Sequence, residues 1–295
     1  MRIFFSLAII LVSNSCFSQT RTELDSLTSL LERVSVDDQK LRLGWDSIMQ
    51  KYGINSPQFI ELVQKMNKQD SINMSIVGNV IDRFGWLSAE QTSKDANAAL
   101  FLVIQHATLP SQLKYLPEMK KAVAENKAKA SDYALLVDRT NMFQGKFQVY
   151  GSQFNYDTKG RIHIFPIADE PHLNDRRKAV GLPSMEEYCK MVSQYTNQSL
   201  VYILPETDRY KNKVVIKGSV TSKKSNEEIS DVSVSIGNNR LIGRTDSTGF
   251  FQIVVDKKLV TGKVIFRKKG YQTTHLRLEG QGKEVYEVNA VLLKK

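Results

Sequence analysis

Apolar and polar positions follow two different periods along this chain. Between residues 22 and 196 apolar residues recur every three or four positions, which predicts amphipathic helices. Between residues 213 and 295 they alternate with polar residues, most clearly at 232–236, which predicts strands with one buried face. The pattern predicts a multidomain α plus β protein: a mainly helical domain at 22–196, a linker at 197–212 and an all-β domain at 213–295.

Residues typical of helix starts precede the predicted helices. Thr22 leads the first helix, a second is expected at 37–51, and Ser56 followed by Pro57 begins another. Two pairs have the spacing of a capping box, namely Ser88 with Gln91 and Ser184 with Glu187, and Pro110 and Ser131 open two further helices. The run 98–104 is apolar on every side, so we expect its helix to be buried all round.

A β-hairpin is predicted near the end of the helical domain. The segments 147–154 and 162–167 are rich in β-formers and flank the turn 157–160. His163 alternates with Ile162 and Ile164, which places its side chain on the solvent side of the hairpin.

The last part of the chain predicts strands at 214–220, 232–236, 250–255, 263–267, 275–278 and 286–292. Its motifs are Gly218-Ser-Val220, Asp231-Val-Ser-Val234, the turn 245–251 and Gly270-Tyr271. Over about 213–293 this pattern resembles the carboxypeptidase regulatory-like, transthyretin-type domain. The resemblance implies a Greek-key β-sandwich of about seven strands that acts as an accessory domain and has no catalytic residues.

Positive charge is concentrated in the β domain. Residues 210–295 hold 17 Lys and Arg against 8 Asp and Glu, whereas residues 1–209 hold 24 against 23. No aromatic stacking platform accompanies these cations, so we do not expect a nucleic-acid partner. The charge favours an anionic envelope polymer or a small anionic ligand as the partner.

The N-terminus has the features of a secretory signal. Arg2 precedes the apolar run 3–12, which is too short to span a bilayer, and cleavage is expected after Ser18. The mature protein would then be periplasmic or secreted, with no transmembrane segment. The alternative is an outer-membrane lipoprotein attached through Cys16. After cleavage only Cys189 remains, so no internal disulfide can form, and its helical spacing with apolar residues predicts a core position.

Polar pairs stand beside apolar segments in the helical domain, where polar side chains are costly unless they are satisfied or used. They are Gln105-His106-Ala107, Asp138-Arg139, the run 148–153 and Arg176-Arg177. With Asp38-Gln39-x-x-Arg42 and Gly85-Trp86, they resemble a bacterial domain-of-unknown-function family with QHA, DR and QxYGxQ motifs, over about 24–195. The sequence departs from that pattern at Leu87 and Ser152. The resemblance implies that these residues form one site and implies no particular reaction.

The residue types predict the following roles within such a site. His106 is the candidate acid or base, Asp138 its orienting carboxylate and Tyr150 a hydrogen-bond donor. Ligand-binding candidates are Gln105, Arg139, Gln148, Gln153 and Arg177, with the two arginines contacting an anion.

Structural interpretations stand beside these roles. His106 at a helix C-terminus can serve the helix dipole, and Asp38 with Arg42 has the spacing of an ordinary surface pair. Arg176 and Arg177 can be a solvated pair. Tyr150 and Gln153 fall on opposite faces of a regular strand unless Gly151 marks a bulge.

The spacing suggests one candidate metal site, made of Asp169, Glu170 and His172. The intervening Pro171 and the single histidine argue against it. We therefore predict no metal, and the sequence identifies no cofactor. Two classes of function remain open. The first is an exported enzyme, a hydrolase or group-transfer catalyst with an anionic substrate. The second is a non-catalytic binding or scaffold protein of the periplasm or outer membrane.

Overall fold

The computed structural model describes residues 21–156, 161–237, 240–260, 262–280 and 282–295. The predicted signal at 1–18, Cys16 and the predicted hairpin turn at 157–160 lie outside these residues. In the described part of the chain, a helical region is followed by a region of strands, as the sequence predicts.

Four helices pack around a fifth, the central helix at Lys94–His106. The helices are α1 (Arg21–Lys40), α2 (Trp45–Tyr52), α3 (Pro57–Phe84), α4 (Lys94–His106), α5 (Leu109–Ala124), α6 (Ala130–Phe143), α7 (Leu173–Ala179) and α8 (Met185–Thr196). Leu31 of α1, Val77 of α3 and Ile104 of α4 are fully buried in one shared core. Burial of α4 on several sides confirms the expectation from its apolar run. None of the helices in the described residues is long and apolar enough to cross a membrane.

Two of the predicted helix starts are confirmed by their caps. Ser56 accepts a hydrogen bond from the Phe59 amide at 3.2 Å, and Pro57 occupies the first turn of α3. Ser184 and Glu187 form both bonds of a capping box at the start of α8. The helix predicted at 37–51 is wrong, because α1 continues through Lys40 and α2 begins at Trp45.

Ser88 and Gln91 make both bonds of a capping box without starting a helix. The Ser88 amide donates to the Gln91 side chain and the Gln91 amide donates to Ser88 Oγ. These bonds close a turn, and α4 begins later, at Lys94, with Ser93 as its N-cap. A turn can therefore form the two hydrogen bonds of a capping box as well as a helix can.

The hairpin is present, with shorter strands than predicted. Strands β1 (Phe154–Tyr156) and β2 (Ile162–Ile164) are antiparallel. The segment predicted as the first half of the hairpin, 148–153, is irregular, and Gly151 adopts a φ of +70°. A regular strand is excluded there because that φ belongs to the left-handed region.

The β part consists of two four-stranded sheets. Its strands are β3 (Lys213–Ser222), β4 (Ser233–Ile236), β5 (Arg240–Arg244), β6 (Phe250–Asp256), β7 (Lys263–Arg267), β8 (Thr274–Arg277), β9 (Val285–Glu287) and β10 (Ala290–Leu292). β3 pairs with β6 and, in parallel, with β9 and β10, while the second sheet has the order β5-β4-β7-β8. Val214, Val234 and Phe266 from the two sheets share one core. The sequence did not predict β5.

The segment 197–212 contains no helix or strand, yet it packs on both parts of the chain. The Tyr202 hydroxyl donates to Glu170 at 2.6 Å, and Arg209 donates to the same carboxylate. Tyr210 belongs to a buried cluster with Phe147 and Phe165. The segment therefore carries side chains of the core as well as connecting the two parts.

Candidate functional site

A buried carboxylate orients His106, and it belongs to Asp38. Asp38 near the end of α1 is fully buried, and its Oδ2 lies 2.9 Å from Nδ1 of His106 at the end of α4. The predicted pairing of His106 with Asp138 is wrong, because α1 packs along α4 and brings Asp38 to the imidazole. The His106 side chain is 18% exposed. A neutral ring that donates from Nδ1 to Asp38 leaves the Nε2 lone pair available as a base.

Arg42 and Gln39 complete the surroundings of Asp38. Arg42 donates to the Asp38 carbonyl at 2.6 Å and to both oxygens of Asp70 at 2.8 and 2.9 Å. The Gln39 amide donates to Asp38 Oδ2 at 2.7 Å. Burial alone raises the pKa of Asp38, but the contact with His106 and the charge of Arg42 outweigh it and lower the pKa overall. The surface pair expected for Asp38 and Arg42 is instead a buried network.

Arg139 is a cation without a carboxylate partner. No hydrogen bond or ion pair joins its guanidinium to any residue in the described part of the chain, and its Nε is buried. Burial lowers the pKa of Arg139, and the nearby charge of Arg42 lowers it further. A half-buried guanidinium whose Nε has no partner is costly unless an anion or water satisfies it. The anion contact predicted for Arg139 stays a prediction, and the missing hydrogen-bond partner of its Nε is the observation that favours it.

Three buried side-chain amides also keep unused hydrogen-bonding atoms. Gln112, fully buried on α5, donates to the carbonyls of Gln105 and Ala107 at 3.0 Å each, on either side of His106. Oε1 of Gln105, Oε1 of Gln112 and Nδ2 of Asn73 have no partner among the described residues. Such atoms are rare in native cores.

Asp138 holds the irregular segment 148–153, which we call the Tyr150 loop. Its Oδ1 accepts the amides of Val149 and Tyr150 at 2.7 and 2.9 Å, and its Oδ2 accepts the Ser152 amide at 2.9 Å. Burial raises the pKa of Asp138, and these three amides oppose the rise by stabilising the ionised form. Asp138 therefore shapes the loop and does not touch His106.

Gln148 and Gln153 also serve the loop. Gln148 Nε2 donates to the carbonyls of Gln153 and Phe165 at 2.9 and 2.7 Å, and its Oε1 accepts the Gln153 amide at 2.6 Å. The Gln153 side chain donates to Ser152 Oγ. Gln148 is fully buried and its amide satisfies the polar groups of an irregular backbone, and its predicted contact with a ligand stays a prediction.

Arg176 and Arg177 bind the carbonyl side of the Tyr150 loop. Arg177 is 1% exposed, donates to the carbonyls of Pro183 and Tyr150, and lies 4.8 Å from the Tyr188 ring. Arg176 donates to the Val149 carbonyl at 2.9 Å. In this structure Nε and Nη1 of Arg177 bind backbone carbonyls, so the anion contact predicted for Arg177 stays a prediction.

The Tyr150 hydroxyl is left without a hydrogen-bond partner in the described part of the chain, although the backbone of Tyr150 is held on both sides. Burial and the charge of Asp138 raise the pKa of this phenol, and Arg176 partly opposes them. No hydrogen bond joins Tyr150 to His106 in the described residues. A neutral phenol at a fixed position is suited to donating a hydrogen bond.

The three residues weighed as metal ligands do not converge. Glu170 is buried and bonded to Tyr202 and Arg209, whereas His172 pairs with Asp169 at the surface. Among the described residues, no group of three or more His, Cys, Asp or Glu side chains is placed to hold a metal ion. Cys189 is buried in an apolar cluster, and burial raises its pKa.

Sequence reasoning missed Asp70, Asn73 and Gln112. The first two lie three residues apart on α3, and hence on one face of that helix, in a stretch whose polar residues look like a solvated surface. Gln112 has no motif around it. Only the packing of α3 and α5 against α4 brings these residues to the site.

The chain belongs to the family of unknown function DUF6624, which it matches over residues 29–198. The match spans the helical part, including Asp38, His106, Arg139 and the Tyr150 loop. It supports the expectation of a domain of unknown function at this end of the chain. No curated protein matches the sequence.

Proposed function

We propose that this protein is an exported acid–base enzyme, a hydrolase or group-transfer catalyst for a small anionic substrate. The single observation that carries the proposal is the contact of buried Asp38 with His106 Nδ1 at 2.9 Å, which leaves Nε2 available. An aspartate placed this way selects the tautomer of the ring and stabilises the imidazolium that forms during proton transfer.

The other groups have distinct roles in this proposal. His106 Nε2 removes a proton from water or from a substrate hydroxyl, and the same proton is returned to the leaving group. Arg139 contacts the anionic part of the substrate, because within the described residues its guanidinium has no hydrogen bond or ion pair and faces only the Phe143 ring, at 5.9 Å. Tyr150 donates a hydrogen bond to the oxygen on which charge develops.

The cellular location belongs to the same proposal. The features of residues 1–18 favour export to the periplasm or beyond, with attachment through Cys16 as the alternative. N-terminal sequencing and mass measurement of protein from the native host test this. A chain beginning at Gln19 supports simple cleavage, whereas a lipid on Cys16 supports the lipoprotein.

We further propose that the β part is a carboxypeptidase regulatory-like, transthyretin-type sandwich. Its two sheets around one core support this assignment. Its surplus of lysine and arginine is suited to anionic envelope polymers, which would keep the enzyme near its substrate.

A non-catalytic binding or scaffold protein is the second candidate. It is favoured by the number of motif residues whose hydrogen bonds go to the backbone, namely Asp138, Gln148 and Arg177. If the whole polar set has that purpose, His106 and Arg139 are further parts of a network that specifies the fold.

Titration of the His106 ring by NMR distinguishes the two candidates. The enzyme requires a ring whose NMR signals respond to inorganic phosphate through Nε2, with a weaker response in Asp38→Asn. Asp37→Asn, at an exposed neighbouring position, is the matched control. His106→Gln should also abolish any turnover of p-nitrophenyl esters or phosphates. A ring indifferent to anions, with His106→Gln costing only stability, would support the scaffold.

A further inference from the structure

The β part of the chain is joined to the segment that leads into the Tyr150 loop. The Gly145 carbonyl accepts the amides of Glu284 and Val285, both at 2.8 Å. Gly145 has a φ of +69°, and a Cβ there would lie 2.8 Å from the Val285 carbonyl oxygen. The close approach of the two backbones therefore requires glycine at this position.

Glu284 also holds Phe147 through its side chain. Its Oε2 accepts the Phe147 amide at 2.8 Å, a bond across 137 positions of sequence. The backbone of Glu284 is itself anchored, because its carbonyl accepts the Val215 amide of β3 at 2.8 Å. Hydrogen bonds to a charged acceptor are stronger than neutral ones, so this carboxylate is a firm support for Phe147.

Apolar packing reinforces these bonds. Phe147, Phe165, Tyr210, Val215 and Val285 form one buried cluster, which contains residues of both parts. The ammonium group of Lys217 lies 4.5 Å from the centre of the Phe165 ring, and its side chain is only 3% exposed. Phe147 and Phe165 are thus both fixed against the β part.

Gln148 connects Phe147 and Phe165 to the Tyr150 loop. Gln148 follows Phe147 directly, and its Nε2 binds the Phe165 carbonyl while its Oε1 binds the Gln153 amide. Val149 and Tyr150 come next, held by Asp138. A shift of Phe147 must therefore be passed to Tyr150 through a short and fully bonded backbone.

From this chain of contacts we infer that Glu284 is a positioning residue for the Tyr150 loop, and so for the proposed acid–base reaction. The positioning of the loop does not depend on the proposed function. Its purpose, support of the acid–base reaction, rests on the proposed function. It also changes the role of the β part, which would support the site directly as well as being an accessory domain.

The test compares three full-length variants. Glu284→Ala removes the acceptor for the Phe147 amide, Glu284→Gln keeps an acceptor oxygen, and Glu279→Ala removes an exposed carboxylate from the same part of the chain. The readouts are hydrogen exchange at the Val149 and Tyr150 amides and the pH titration of the Tyr150 phenol. We expect exchange about tenfold faster in Glu284→Ala, an intermediate rate in Glu284→Gln, whose neutral acceptor is weaker, and a rate close to wild type in Glu279→Ala. The phenol titration should move toward that of an ordinary tyrosine.

Unchanged exchange and unchanged phenol titration in folded Glu284→Ala would overturn the inference. If that variant does not fold, Glu284→Asp supplies the same comparison, because a shorter carboxylate weakens the bond to Phe147 and leaves the backbone contacts in place. Failure of the proposed function looks different. In that case Glu284→Ala loosens the loop as expected, while His106→Gln changes neither turnover of p-nitrophenyl substrates nor the response to phosphate.

Discussion

The pKa of Arg139, which burial lowers, is lowered further by the positive charge of Arg42, and only Arg42 has carboxylate partners. Arg42 binds Asp70 through both carboxylate oxygens and lies 3.5 Å from Asp38, whereas Arg139 has no hydrogen bond or ion pair with any described residue. The two arginines thus affect stability in opposite directions. Arg42 neutralises the buried Asp38 and the partly buried Asp70, whereas Arg139 loses hydration without gaining a carboxylate from the described residues.

Arg139→Met should stabilise the protein and remove its affinity for anions. Replacement of a half-buried cation that has no hydrogen bond or ion pair by an apolar side chain of similar length removes a desolvation cost, so we expect a gain of about 1–3 kcal/mol in the free energy of unfolding. Chemical denaturation measures the gain, and calorimetry with inorganic phosphate measures the loss of binding.

Arg42→Met is the matched variant, and its effect should have the opposite sign. It leaves the carboxylates of Asp38 and Asp70 without their cation, and we expect a loss of about 3–5 kcal/mol. Destabilisation of the same size in both variants would show that Arg139 has a structural partner role and is not reserved for a ligand.

Asp38→Asn should destabilise the protein by about 1–3 kcal/mol, because His106 Nδ1 and the Gln39 amide lose a charged acceptor in a buried place. Asp37→Asn, at the exposed position next to it, should stay within about 0.5 kcal/mol of wild type. Equal effects of the two substitutions would contradict the role of Asp38 as the orienting group.

The stability contributed by Asp38 should depend on pH in a defined direction. Its pKa in the folded protein lies below the ordinary value of 3.8, since His106 and Arg42 favour the carboxylate despite burial. A carboxyl group with a lowered folded pKa stabilises the fold above its unfolded pKa and loses that effect as the pH falls through the folded pKa. The difference between wild type and Asp38→Asn should therefore shrink below about pH 4, as followed by urea denaturation at several pH values.

Asp138→Asn should loosen the Tyr150 loop. An asparagine offers one acceptor oxygen in place of two, so at least one of the amides of Val149, Tyr150 and Ser152 loses its bond. We expect a loss of about 1–3 kcal/mol and faster hydrogen exchange confined to the loop. Asp175→Asn, at an exposed site on α7, is the control. Protection of the loop amides in Asp138→Asn would disprove this role.

Gly151→Ala should cost more stability than Gly181→Ala. Both glycines have positive φ, at +70° and +75°, so both substitutions carry backbone strain of about 1–3 kcal/mol. Only at Gly151 would the added Cβ also lie 2.8 Å from Ile167 Cδ1, whereas nothing lies within 4 Å at Gly181. Thermal unfolding of the two variants gives the difference, and equal costs would mean that the loop can move away from Ile167.

Local chemistry made much of the fold predictable. Ser56 with Pro57, and Ser184 with Glu187, start helices because their side chains satisfy amides of the same helix turn. Ser88 and Gln91 show the limit of such signals, since the same bonds close a turn there. Strand β5 escaped prediction because it is largely exposed and has no alternation of buried and exposed residues.

The sequence identified several residues of the candidate site, but it did not identify which residues they contact. The sequence singled out His106, Asp138 and Arg139 as costly polar groups, but it assigned Asp138 to His106. Spacing alone made Asp38 with Arg42 look like a surface pair, because the packing of α1 on α4 that buries Asp38 is a long-range effect. The carbonyl contacts of Arg177 were not predictable, because the sequence does not show how many carbonyls an irregular loop leaves unsatisfied.

The hydrogen bonds of the buried Glu170 carboxylate show that the helical part needs residues beyond the end of the family match. The family match ends at residue 198, yet Tyr202 and Arg209 supply hydrogen bonds to Glu170, which is 1% exposed. A polypeptide that stops at residue 198 would bury an acid with neither of these donors. The shortest autonomous version of the helical part must therefore extend at least as far as Arg209, beyond the residues that its relatives define.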